Sequence, residues 1–266
     1  MSSDHPSNSS HRAKKRFGQN FLHDQNIIDN ILAAVAAKPG DNVVEIGPGQ
    51  GAITEGILKA TEGHLNVVEL DRDLIPILLS KFSIHPGFKL NQGDALEFDF
   101  GQLTQDKPMK VVGNLPYNIS TPLIFHLLSY HDRITDMHFM LQKEVVDRIA
   151  AGPKEKNYGR LSIMVQYYCQ VHSLFIVKPG CFHPVPKVDS AVIRLVPYKE
   201  LPFPAKDVDT LEKVVRQAFS QRRKTLRNTL KGVVSSEELE NLGINPGARP
   251  ETLSVEDFVN ISNYVS

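Results

Sequence analysis

Between Val43 and Ala150 the chain repeats one pattern: a short apolar run, a tight turn, then apolar residues at helical spacing. The runs are Val43–Ile46, Leu65–Leu70, Phe88–Asn91, Lys110–Val112 and His138–Leu141. Helices are expected over Ala52–Ala60, on to Leu79, from Thr121-Pro122 as N-cap and first helical position, and over Lys143–Ala150. Strands that alternate with helices for more than 100 residues leave few solutions, because parallel strands need crossover connections that cover the sheet. The expected fold is α/β, with a doubly wound, mostly parallel sheet. Ahead of it, Asp24 is placed to cap a helix carrying Ile27, Ile28, Ile31, Leu32 and Val35, which Pro39-Gly40 should stop. Two further strands, near Val171–Val177 and Ser190–Val196, are joined by a Pro-rich loop and read as an antiparallel pair at the sheet edge. Pro197–Pro204 resembles a linker, and Val208–Ser266 reads as entirely helical, with Leu211, Val214, Val215, Ala218, Leu226 and Leu230 as apolar stripes.

Composition excludes several classes. No apolar run approaches 18 residues, so no membrane span is expected. Residues Met1–Ser10 are polar and Ser-rich, and read as a disordered tail without the apolar stretch of a signal peptide. Cys169 and Cys181 lack metal-ligand spacing and no Cys/His cluster offers a zinc site, which suits a cytoplasmic, metal-free chain with free thiols. Lys plus Arg equals Asp plus Glu, 30 against 30, which is a weak charge for a binder of naked nucleic acid. The cations are clustered, however: Arg12, Lys14, Lys15 and Arg16, then Arg222, Arg223, Lys224, Arg227 and Lys231. A helix from about 222 to 231 would seat Leu226 and Leu230 and leave Lys224, Arg227 and Lys231 on a neighbouring sector, with Arg223 at its edge.

The chemistry-bearing motifs follow successive strands. After the first comes Glu45-Ile46-Gly47-Pro48-Gly49-Gln50-Gly51, whose glycines let a ligand approach the backbone. Gly47, Gly49 and Ala52 also match a dinucleotide pattern, with Glu69 where a ribose acid belongs. Pro48 opposes that reading, since it has no N–H for a pyrophosphate. A nucleoside without phosphate, such as S-adenosyl-L-methionine, loses nothing there. Glu69 ends the second strand and can accept ribose hydroxyls; Asp94, after the third, can accept from an adenine amino group. Asn114-Leu115-Pro116-Tyr117 follows the fourth strand. An exocyclic adenine nitrogen is a poor nucleophile because its lone pair is delocalised. Two acceptors, the Asn114 side-chain oxygen and the Leu115 carbonyl, would favour a pyramidal nitrogen. Pro116 would stiffen the turn and Tyr117 would offer a ring for stacking.

On these motifs the chain resembles the KsgA (RsmA) family of 16S ribosomal RNA adenine N6-dimethyltransferases. The likeness runs from about Arg16 to the end. It includes Arg16-Phe17-Gly18-Gln19-Asn20-Phe21-Leu22, Glu69-Leu70-Asp71, Gly93-Asp94-Ala95-Leu96, Asn114–Ser120, Gln142–Val145, Phe182–Val188, Phe219–Arg227 and Arg249-Pro250-Glu251. The resemblance implies a class I methyltransferase (Rossmann-like) sheet of seven strands over residues 16–200. A basic tail over 1–15 and a helical RNA-binding domain over 201–266 would flank it. It implies cofactor contacts from Asn20, Leu22, Gly47, Glu69, Asp94 and Asn114, and places Phe182 at the target base opposite Tyr117. Read from the residues alone, Phe182 is an aromatic in a Pro-rich loop, as much core as site. The implied substrate is a pair of adjacent adenines in the 3′-terminal hairpin loop of 16S RNA, within the 30S subunit or its precursor; with no exposed interface pattern in the sequence, a monomer is expected. Alternatives are an Erm-type large-subunit RNA methyltransferase, a DNA adenine methyltransferase, an NAD dehydrogenase, and an assembly factor that only binds RNA.

Overall fold

The computed structural model describes residues 19–104, 107–221 and 223–266. The tail, its cluster Arg12–Arg16, and Arg222 therefore lie outside the described residues. In chain order the elements are β1 (Phe21–Leu22), α1 (Gln25–Val35), β2 (Asn42–Ile46), α2 (Thr54–Ala60), β3 (Leu65–Glu69), α3 (Ile75–Phe82), β4 (Phe88–Gln92), β5 (Met109–Asn114), α4 (Ser120–Leu128), β6 (Ile134–Gln142) and α5 (Lys143–Ala150). They continue with α6 (Arg160–Tyr168), β7 (Cys169–Val177), β8 (Phe182–His183), β9 (Ser190–Pro197), α7 (Val208–Ala218), α8 (Leu226–Thr229), α9 (Ser236–Asn241) and α10 (Val255–Val265). Seven strands form a sheet in the order β4-β3-β2-β5-β6-β9-β7. Pairing is parallel through β4, β3, β2 and β5, and antiparallel between β6 and β9. This is the class I methyltransferase sheet expected.

Contacts divide the chain into two compact units. The first comprises residues up to Leu123 together with Val177–Asp189. Its central strands are buried on both faces: Val43, Val44, Val67, Val68, Val111 and Val112 are all at most 1% exposed, as a helix-covered parallel sheet requires. The second comprises Ile124–Ile176 and Ser190–Ser266. Here Tyr158, Met164 and Tyr167 share one core with Leu211, Val215, Leu226, Leu230 and Phe258, so the C-terminal helices are packed on residues that precede the Pro-rich stretch. The Tyr158 hydroxyl donates to the Leu253 carbonyl at 2.8 Å within that core.

Several boundaries differ from expectation. Asp24 does cap α1, accepting from the Ile27 N–H, but the helix stops at Ala36 and not at Pro39-Gly40. Ala36 takes a left-handed conformation, and beyond Val35 the stripe has nothing apolar left to bury. Helix α4 begins at Ser120, which moves Thr121 and Pro122 inside its first turn; proline is tolerated there because that N–H has no helical acceptor. The basic helix expected from 222 to 231 shrinks to Leu226–Thr229. Its first N–H groups, from Leu226 and Arg227, are taken by the carbonyls of Ala248 and Pro246 at 2.9 and 3.0 Å, so the chain before them turns instead. Helix α6 and the β1–β8 pair had no counterpart in the sequence reading.

Candidate active site

Strand β2 lies between β3 and β5, so the strand order reverses at β2. Loops leaving the carboxyl ends of β2 and β5 therefore run to opposite sides and open a crevice, the usual ligand position in such sheets. A cavity of about 330 Å³ lies there. It is lined by Asn20, Gly47, Glu69, Asp94, Asn114 and Tyr117, with Leu115 and Pro116 between the last two. The glycine loop, two acids and the Asn-Leu-Pro-Tyr turn thus converge on one volume, within the range that small-molecule sites occupy.

The glycine loop is bent tightly. The Gly47 N–H is spent on the Val68 carbonyl and the Gly51 N–H on the Pro48 carbonyl, both at 2.9 Å. Those donors are unavailable to a pyrophosphate, which adds to the argument from Pro48 against a dinucleotide. Gly49 sits at φ +59, and a side chain there would meet the Phe21 ring at 3.1 Å.

Glu69 is 6% exposed, so it is not the surface carboxylate that ends many strands. Burial lifts its pKa from 4.5 to about 7, opposed by N–H donors of Asp71, Leu70 and Gly49. The Asp71 N–H reaches Glu69 Oε1 at 2.7 Å. Asp94 plays the turn role and also lines the cavity: its Oδ1 accepts from the Leu96 N–H at 2.9 Å, which fixes the carboxylate and leaves Oδ2 for a ligand.

Asn114 ends β5. Its Nδ2 donates to the Asn20 carbonyl at 2.9 Å, which settles which end of the amide is nitrogen and leaves Oδ1 as the acceptor. Gly113 before it is required by close approach, since a Cβ would stand 2.7 Å from the Ile46 carbonyl oxygen of β2. Leu115 is 1% exposed, so the residue whose carbonyl was expected to act is packed in place.

Two expected site residues are not brought to the cavity. Leu22 and Phe182 are cross-strand partners in the β1–β8 pair, 7% and 1% exposed, and neither lines it. Both are buried in that pair, Phe182 the more completely. Of the basic group, Arg223, Lys224 and Arg227 are exposed while Leu226 and Leu230 are fully buried, so the seating expected of this segment holds though its helix is short.

The sequence reading missed Gln19, Phe21 and Asp71 as lining residues, and Glu45 as a buried partner. Glu45 is 2% exposed and accepts from the Thr54 hydroxyl at 2.6 Å. The signal for Glu45 was present: a carboxylate inside the strand Asn42–Ile46 has to be paired. Among the described residues no group of three or more His, Cys, Asp or Glu is placed to hold a metal. No helix is long and apolar enough to cross a membrane among those residues. Cys169 and Cys181 are free thiols.

Comparison with known proteins gives the same reading. The family model "Ribosomal RNA adenine dimethylase" matches residues 10–266. The chain is 62% identical over 257 residues to "Ribosomal RNA small subunit methyltransferase A" of Pseudomonas putida, covering 96% of each. Among solved structures it is similar to a dimethyladenosine transferase from Plasmodium falciparum, with TM-score 0.79, 27% identity, and coverage of 90% of this chain and 95% of that one. It also shares the fold of the 23S rRNA methyltransferase ErmE, with TM-score 0.73, 24% identity, and coverage of 92% and 99%. With the match running from residue 10 to the last, and with the glycine loop and the Asn-Leu-Pro-Tyr turn facing one cavity, the chain belongs to the ribosomal RNA adenine dimethylase family.

Proposed function

We propose that the chain transfers two methyl groups to N6 of each of two adjacent adenines in the 3′-terminal hairpin loop of 16S RNA. It would act in the cytoplasm on the small subunit or its precursor. The observation that carries this is the Asn114 amide, anchored through Nδ2 so that its oxygen is the acceptor end in the cavity. The lining fits S-adenosyl-L-methionine: Glu69 to accept from the ribose hydroxyls, Asp94 to accept from the adenine amino group, and the Gly47–Gly49 backbone where no phosphate has to be bound. That cofactor would supply an electrophilic methyl group on a sulfonium and leave as the thioether S-adenosyl-L-homocysteine, the N6 proton passing to solvent.

The chain's own part is positioning. Asn114 Oδ1 and the Leu115 carbonyl hold the two hydrogens of the target amino group and so free its lone pair. Tyr117 stacks on the base. Phe182 is buried beside Leu22 in the β1–β8 pair. After the first transfer one N6 hydrogen remains and one acceptor suffices, so dimethyladenosine is the end product. The chain would act as a monomer.

The test is labelled methyl transfer to small subunits lacking the modification, followed by nucleoside identification. N6,N6-dimethyladenosine is expected. Monomethyladenosine alone at saturation, or label only in large-subunit RNA, would overturn the reading.

A further inference from the structure

We propose that Gln19 and Asp71 are positioning residues: they form a latch that keeps residues 19–22 as one wall of the cofactor cavity and governs how fast cofactor leaves. The inference rests on the reading of that cavity as the S-adenosylmethionine site. Asp71 lies two residues beyond Glu69 and its side chain is almost fully buried, at 2% exposure. A buried carboxylate is retained only where donors satisfy it. Here Asp71 Oδ2 accepts from Gln19 Nε2 at 2.9 Å, across 52 residues of sequence. Its Oδ1 accepts from the Asp73 N–H at 3.2 Å, while its own N–H holds Glu69 Oε1. One aspartate thus joins the N-terminal segment, the buried acid Glu69 and the turn that leads into α3.

The held segment does several things at once. Asn20 offers the carbonyl that orients the Asn114 amide. Phe21 packs against Gly49 of the glycine loop. Phe21 and Leu22 pair with β8 in a ladder only two residues long. So short a pairing is marginal by itself, and the side-chain bond from Gln19 to the buried Asp71 adds a tether outside it. If the latch opens, the wall and the Asn20 anchor of Asn114 loosen together.

The experiment uses the full chain and S-adenosylmethionine as the probe. Calorimetry gives affinity, displacement gives the release rate, and amide exchange follows Phe21 and Leu22. Gln19→Ala should weaken affinity and speed release by about 10- to 100-fold, as for loss of a hydrogen bond to a charged group. Exchange at Phe21 and Leu22 should accelerate, with β2 and β3 unchanged. Gln19→Glu alone sets two carboxylates together and should do the same or worse. Combined with Asp71→Asn it swaps donor for acceptor, and retention should return in proportion to the coupling of the pair. Failure of the parent protein to bind the probe would overturn the cofactor reading beneath. Binding by the parent with unchanged release from Gln19→Ala would overturn the latch alone. Faster release that the swapped pair does not repair, in a folded double variant, would also overturn it. Should the double variant not fold, Gln19→Glu decides, and normal retention in it rejects the latch.

Discussion

Glu45 lies inside β2 and Glu69 ends the adjacent parallel strand β3, and burial raises each carboxyl from 4.5 to about 7. For Glu45 the Thr54 bond pulls the other way and the charge of Glu69 adds to the rise. A carboxyl whose pKa is higher folded than unfolded holds its proton more tightly in the folded state. Its contribution to stability is full below 4.5 and is lost as the pH rises through about 7. Glu45→Gln keeps an acceptor for Thr54 and removes the ionisation, so its melting temperature relative to the parent should rise more at pH 8 than at pH 5. Equal differences at both pH values would show that Glu45 does not titrate in this window. Glu69→Ala should weaken S-adenosylmethionine binding by roughly 1.5–3 kcal/mol, the range for hydrogen bonds to a charged group; calorimetry with unchanged affinity would remove Glu69 from the site. Asn114→Ala should lower single-turnover methylation by about 100-fold or more at saturating cofactor, as for loss of a transition-state partner, with RNA affinity little altered. A normal rate would reject the paired-acceptor mechanism. The type of each of these residues was legible in the chain. Which of them is buried, and which segment anchors the Asn114 amide, was not, because both depend on chain segments distant in sequence.

At the scale of elements, periodicity located the central parallel strands well because they are buried on both faces and read as near-continuous apolar runs, while the edge strand β4 has no buried residue. It failed where an element is held by its neighbours. The β1–β8 ladder joins two residues to two others some 160 positions away, too short for any pattern. Helix α8 is cut to Leu226–Thr229 because the loop at 246–248 takes its first donors. The basic stretch survives this correction as an exposed turn and helix, and its predicted role is to position RNA phosphates. Replacing Arg223 and Arg227 with alanine should weaken subunit binding, and each lost phosphate contact should lower the slope of log affinity against log salt by about 0.7–0.9. Cofactor affinity should stay the same. An unchanged slope would make this segment structural and move the RNA to another surface.

For the whole molecule, charge balance sets the expected substrate preference. With 30 basic and 30 acidic residues the chain has no net field to draw in naked RNA, and depends on local clusters. A partly assembled subunit brings several RNA segments to those clusters together and presents the target loop. The adenines must also leave their stack to reach Asn114, which costs least in an unpaired loop. Methyl transfer should therefore be efficient on small subunits, poor on protein-free 16S RNA and absent on duplex DNA. Comparable initial rates on subunits and free RNA would remove the case for presentation by the subunit.

The chain by itself determined the fold class and the location of the chemistry. Parallel strands are announced by their own composition, and a glycine loop, two acids and an Asn-Leu-Pro-Tyr turn that follow successive strands must face the same sheet end. Local residues specify local backbone, and the topology of a doubly wound sheet does the rest. Tertiary structure alone decided that Leu22 and Phe182 pair across β1 and β8, and that Gln19 and Asp71 meet. It also decided that Leu226 and Leu230 share a core with Tyr158 and Met164. Each is a contact between segments far apart in the chain, set by packing and by the pairing of buried polar groups, and neither leaves a periodicity to read.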